Sequence, residues 1–237
     1  MRDCEIIIQE ALKEGRPSLL ANEAQQICDF HNIPTPKSVL TSTIEEAVLK
    51  AKEIGFPVTL KIVSPQIIHK SDVGGVILDI KDEQELKNQY NKMITDIPKL
   101  APTAKIIGVL VSKMMPSATE VIIGAIRDSQ FGPSVMFGIG GIFTEIYNDV
   151  AFRVAPIQKI DALNLIHDIK GSQILEGARG RSPANIDAIV NILLNVSDLM
   201  MEHDRINQLD LNPIMAYSDS ACAVDTRIVV KQKNGDE

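Results

Sequence analysis

Apolar positions recur at two different periods along this chain, and the switches between them mark helices and strands. Residues 3–14 and 18–31 carry helical spacing. Ser18 is expected to cap the second, because a hydroxyl can accept from first-turn N–H groups that lack a partner. Residues 31–42, HNIPTPKSVLTS, read as a proline-interrupted turn into a short strand. Thr43 to Ile54 is a helix with Thr43 and Glu46 in capping-box register and Gly55 as its stop. Val58 to Val63 and Val76 to Ile80 are β-branched strands, and Asp82 to Thr95 is a helix.

A second set follows the Pro98 to Pro102 break. Ile106 to Lys113 and Glu120 to Arg127 are expected strands, and Ser134 to Phe137 starts a third. Helices are expected near 159–170 and 184–202, then strands at 206–211 and 221–230. This order predicts an α+β protein of two lobes with a cleft between them. The expected boundaries are an N-terminal helix over 1–17, a first lobe over 18–100, a second lobe over 101–230 and a polar tail over 231–237.

Composition narrows the function classes. The 237 residues are 45% hydrophobic with a formal charge of −7 and no basic stripe, which argues against a nucleic-acid partner. No stretch approaches the roughly 18 apolar residues of a membrane span, and the N-terminus has no cleavage-site pattern. Three scattered cysteines, Cys4, Cys28 and Cys222, fit neither a disulfide framework nor a spaced zinc motif, so a cytoplasmic setting is expected.

Five stretches carry candidate chemistry. In LKIVSPQIIHKSDVGGV, Lys61 ends an apolar run where its ammonium can serve nucleotide phosphates, or else simply be solvated. His69 follows in a polar loop. Gly74 and Gly75 suit a turn or a close approach to a ligand, and Lys70 and Asp72 can orient the imidazole. In residues 136–156, Gly138, Gly140 and Gly141 miss the dinucleotide spacing because Phe143 stands where a glycine is needed. Glu145, Asp149 and Arg153 would share one charged face if that stretch were helical. The glycine-flanked loop at 171–180 carries Arg179, with Arg181 next to it, and suits either an anion or a mobile surface.

The fifth stretch is the pair QLDLNP, 208–213, and VDTRI, 224–228. Alternation puts Asp210 and Asn212 on one side of a strand, and an antiparallel partner would bring Asp225 opposite them. Two carboxylates and an amide oxygen form a hard oxygen site suited to Mg²⁺. Exposed, uncomplexed groups are the other reading.

Taken in order, LKIVSP-x-x-x-HKSDVGGV, EVIIG at Glu120 to Gly124, D-x-x-FGP at Asp128 to Pro133, MFGIGGIF, G-x-RG, DLNP and VD-x-RI resemble the ATP-grasp subunit of ADP-forming acyl-CoA synthetases. The likeness spans about residues 18–230 and extends to succinyl-CoA synthetase β chains. It implies an ATP-grasp fold holding Mg-ADP or Mg-ATP between its lobes. Lys61 matches the phosphate-binding lysine, and the stretch Ser112 to Met115, with Ser112, Met114 and Met115, matches the adenine hinge. Glu120, Gly140 and Gly141 fall in the motifs of the nucleotide site. Asn212 and Asp225 match the magnesium ligands, and Asp210 an acid of the same motif. His69 matches a transiently phosphorylated histidine that relays phosphate from a phosphohistidine segment on a partner.

The resemblance further implies a separate CoA-binding α subunit in an α2β2 hetero-oligomer, since nothing in this chain resembles a CoA-binding Rossmann domain. Gln208 departs from a common glutamate and is expected to tune the metal site rather than abolish it. Two other readings stand beside this one: a non-catalytic nucleotide-binding regulatory subunit, and a stand-alone ATP-grasp carboxylate ligase.

Overall fold

Val58, Leu60 and Ile62 alternate along the central strand of a four-stranded antiparallel sheet and turn their side chains into its apolar core. The structure is a computed structural model that describes residues 4–141, 149–177 and 182–231. In this sheet β1 (Ser38–Thr41), β2 (Val58–Val63), β3 (Val76–Ile80) and β4 (Gly108–Lys113) lie in the order β1-β4-β2-β3. Helices α3 (Ile44–Ile54) and α4 (Glu83–Leu100) contribute Ala47, Val48, Ala51, Leu86, Tyr90, Met93 and Ile97 to the same core. The Thr43 hydroxyl accepts from Glu46 N–H at 3.2 Å and Gly55, at φ 86°, stops α3, as expected, while the Glu46 carboxylate accepts from Ser42 N–H (2.8 Å) rather than from Thr43. The α4 helix runs on through Pro98 to Leu100, so the expected break falls one turn later.

The other sheet is built by β5 (Thr119–Asp128), β6 (Gly132–Ile139), β7 (Val150–Val154), β8 (Ile206–Ala216), β9 (Ala221–Ala223) and β10 (Thr226–Val230). Its order is β10-β8-β5-β6-β7, with β9 paired to β8, and every pairing is antiparallel. Among the described residues, the helices α1 (Cys4–Lys13), α2 (Ala21–Phe30), α5 (Lys159–Asp168) and α6 (Ile186–Glu202) share its core. The α6 helix places Ile189, Val190, Leu193, Val196, Leu199 and Met200 in that core, the spacing of one helix face.

The chain divides into a larger unit, Met1–Leu19, Glu23–Thr35 and Ser117–Glu237, and a smaller one, Leu20–Asn22 and Pro36–Pro116. Strand pairing puts residues 108–113 in the smaller unit, where Lys61 of β2 lies opposite Leu110 of β4, whereas the sequence suggested a boundary at 100/101. Residues 17–19 run beside β10 through Leu19 N–H to Ile228 O (3.0 Å) and Val230 N–H to Pro17 O (2.8 Å). Ser18 therefore bridges to Val229 and does not cap α2. Asp149 and Arg153 do not share a helical face. Val150–Val154 is a strand, and Asp149 accepts from the N–H groups of Lys170 (2.9 Å) and Gly171 (2.6 Å). Arg153 pairs with Asp168 instead, and Glu145 lies outside the described residues, as do Arg179 and Arg181. No helix among the described residues is long and apolar enough to cross a membrane.

Candidate active site

Each sheet has one apolar face under its helices and one face that carries polar side chains. In the smaller unit, Leu60 and Ile62 point into the core, so Thr59 and Lys61 point to the opposite face. Ser112 pairs with Thr59 on one side and Ser38 on the other, which adds two hydroxyls to that face. Lys61 is only 7% exposed. A lysine seldom sits so deep unless its ammonium has a role or a partner, and this burial is what separates it from an ordinary strand-end lysine. At the end of β4, Lys113 Nζ donates to Gly55 O (2.8 Å) and Phe56 O (3.3 Å), and Met114 N–H donates to Pro57 O (3.1 Å). These bonds fix the segment in which Met114 and Met115 stand half-buried.

His69 opens a short 3₁₀ turn, Lys70–Val73, between β2 and β3, and its side chain is exposed. Gly74 ends the turn in the left-handed region at φ 67°. Gly75 packs on β2, since a Cβ there would stand 2.5 Å from Ile62 Cγ2, and its carbonyl accepts from Ile62 N–H at 2.8 Å. The double glycine thus closes the loop against the sheet. Asp72 N–H donates to His69 O at 3.3 Å, which ties the two residues through the backbone of the turn.

In the larger unit, Leu209 and Leu211 face the core, which leaves Gln208, Asp210 and Asn212 on the opposite face of β8. Arg227 of β10 lies directly opposite Asp210, and Gly124 of β5 flanks it on the other side. The backbone N–H of Asn212 donates to Asp225 O at 3.2 Å, so the expected juxtaposition of Asn212 and Asp225 across a hairpin is present. Burial and the Asp225 charge push the Asp210 carboxyl above its ordinary range, and Arg227 pulls it down. A carboxylate whose ionisation is opposed chiefly by burial, with a second acid and an amide oxygen near it, is a donor set that a hard divalent cation fits. Arg227, two residues after Asp225 in VDTRI, is a further charged member of this set because β10 pairs it with Asp210.

Glu120 lies on the non-core face of β5, since Val121 and Ile123 occupy the core. Its carbonyl accepts from Gly140 N–H at 2.7 Å. A Cβ at Gly140 would lie 2.8 Å from Glu120 Cβ and 3.0 Å from Glu120 C, and Gly141 follows at φ 72°. The two glycines let the end of β6 close against Glu120.

Residues 10–230 match the family model described as an ATP-grasp domain. The chain is 49% identical over 224 residues to the β subunit of ADP-forming acetate–CoA ligase I from Pyrococcus furiosus, covering 94% of this chain and 96% of the relative. A solved acetyl-coenzyme A synthetase 1 from Ca. Korarchaeum cryptofilum, in complex with coenzyme A, Ca-AMPCP and HgCl+, matches at TM-score 0.95 and 42% identity, covering 97% of this chain and 100% of that one. Another structure of that protein, with coenzyme A and Mg-AMPPCP and its phosphohistidine segment pointing towards the nucleotide binding site, matches at TM-score 0.86 and 41% identity, with the same coverage of each chain. The chain belongs to the ATP-grasp family, among the β subunits of ADP-forming acetate–CoA ligases.

Proposed function

We propose that this chain is the nucleotide-binding subunit of an ADP-forming acyl-CoA synthetase and transfers phosphate between a phosphohistidine and ADP. The overall reaction is acyl-CoA + ADP + phosphate ⇌ carboxylate + CoA + ATP. The observation that supports this reading is the backbone bond from Asn212 N–H to Asp225 O (3.2 Å) at the strand that carries Asp210. The solved relative with Mg-AMPPCP and a phosphohistidine segment supports it.

Asp210, Asn212 and Asp225 would hold Mg²⁺, which when bound neutralises phosphate charge. Lys61 supplies a further fixed cation for the nucleotide phosphates from within its sheet. The Ser112 to Met115 segment binds the adenine, and its backbone is already held by the bonds of Lys113 and Met114. Glu120, Gly140 and Gly141 complete the nucleotide set.

His69 is the phosphate carrier. A nitrogen of its exposed imidazole attacks the phosphorus of the partner's phosphohistidine, forming one N–P bond as the partner's breaks. A β-phosphate oxygen of ADP then attacks the same phosphorus, and the His69 N–P bond breaks to release ATP. Exposure of the ring suits this exchange, because two different groups must reach it in turn.

The CoA and acyl sites reside on a separate α subunit, which carries the phosphohistidine segment, in an α2β2 assembly in the cytoplasm. The relative's designation as a subunit β supports a separate partner. Reconstitution tests the reading. The chain mixed with its α subunit should make ATP from acetyl-CoA, ADP and phosphate, and the chain alone should make none. ATP formation by the isolated chain, or nucleotide binding without turnover in the mixture, would overturn it; the second outcome would favour a regulatory nucleotide-binding subunit.

A further inference from the structure

Three side chains in the larger unit, unconnected with the nucleotide chemistry, converge on one point. Cys4 Sγ, one nitrogen of His31 and one of His203 all lie within 4.8 Å of one another. The two imidazoles meet edge to face, with Nε2 to Nε2 at 3.0 Å. Both rings are half-buried and Cys4 is buried, in a cavity of about 380 Å³ that Asp198 and Glu202 also line.

The backbone fixes all three positions. Cys4 begins α1, whose Ile7, Ile8 and Ala11 are locked in the core. His31 follows α2, where left-handed Asn32 (φ 53°) and the bond from Ile33 N–H to Cys28 O (2.9 Å) close the helix end. Asn195 Nδ2 donates to Asn32 O at 3.0 Å and ties that turn to α6. His203 ends α6, and its carbonyl accepts from Arg127 Nη2 at 3.1 Å.

We propose that Cys4, His31 and His203 form a zinc site that clips together α1 and the ends of α2 and α6. One thiolate and two imidazoles are the ligand types zinc prefers. Tetrahedral zinc, at about 2.0–2.3 Å from its ligands, sets the ligand atoms roughly 3.3–3.6 Å apart. The observed spacing needs side-chain adjustments of only about 1 Å to reach that geometry. Glu202 Oε2 stands 4.0 Å from His31 Nδ1, where an outer carboxylate steadies a metal-bound imidazole. The fourth position is left to water or to one of the two acids. Binding replaces the Cys4 thiol proton by the Zn–S bond and releases that proton to solvent.

The test uses the untagged full chain in thiol-free buffer, titrated with Zn²⁺ by calorimetry and with Co²⁺ by absorption. One metal per chain is expected, with a thiolate-to-cobalt charge-transfer band. Zn²⁺ at a hundredfold excess over its Kd should raise Tm by about 5 °C or more. Cys4→Ser should lose the charge-transfer band, and His203→Gln should weaken zinc binding more than about a hundredfold, beyond the effect of losing an outer-shell partner. Asp210→Asn should leave the cobalt band intact, which separates this site from the magnesium residues. If the variants fail to fold by circular dichroism, protection of Cys4 from alkylation by Zn²⁺ in the wild-type chain decides. Failure of wild-type protein to bind stoichiometric zinc, a cobalt spectrum without the thiolate band, or zinc that leaves Cys4 alkylation unchanged would overturn the proposal.

Discussion

Gly140 shows how a missing side chain shapes a strand end. Its missing Cβ lets Glu120 and the β6 end meet, with Glu120 Cβ only 2.8 Å from where a methyl would stand. Gly140→Ala should therefore displace Glu120 and lower stability by about 1–3 kcal/mol, the usual cost of overpacking, as read by urea denaturation. Asp210 makes the opposite prediction. Its carboxyl ionises less readily in the fold than in the unfolded chain, so without a cation the folded state loses stability as pH rises above the ordinary aspartate value near 3.8. Asp210→Asn should thus match or exceed the wild-type Tm at pH 7 in metal-free buffer while weakening Mg-ADP binding by calorimetry. A variant less stable and equal in Mg-ADP affinity would make Asp210 a structural residue. The shared side of Asp210 and Asn212 was legible in the sequence, because side chains two apart in a strand point the same way. The burial of Lys61 and the opposing Arg227 were not, since both depend on which strand lies next to which.

Among the elements, caps and periods were legible where local chemistry decides, and less so where tertiary pairing overrides it. Thr43 and Gly55 bound α3 as their side chains dictate. Ser18 fails as a cap because the segment around it is held along β10, so its local preference never acts. Val150–Val154 pairs with β6, and its β-branched ends win over the i, i+4 charge spacing. The join between α1 and α2 rests instead on an ion pair. Arg16 Nη1 and Nη2 reach Glu23 Oε2 (2.8 Å) and Oε1 (3.0 Å), and Arg16 is 9% exposed. Glu23→Gln should cost about 2 kcal/mol in chemical denaturation, less than the roughly 3–5 kcal/mol of a fully stranded buried charge, because Glu14 still accepts from Arg16 Nε at 2.7 Å. A change within about 0.5 kcal/mol would place the pair among ordinary surface contacts.

At the scale of the whole molecule, the α+β class and the ATP-grasp family were readable from motif order, whereas the division between units was not. The proline cluster at 98–102 looked like a hinge, but β4 lies beyond it in sequence and between β1 and β2 in the sheet. Only the pairing of residues 108–113 reveals that. The proposed chemistry depends on His69, an exposed loop residue whose surroundings are explained by loop closure alone. The most direct test is to incubate the chain with γ-labelled ATP and Mg²⁺, beside His69→Ala, with and without its α subunit. Acid-labile, base-stable label on the wild-type chain that vanishes in the variant is the predicted result. No label on this chain, even when the α subunit is present and turning over, would contradict a phosphate relay through His69.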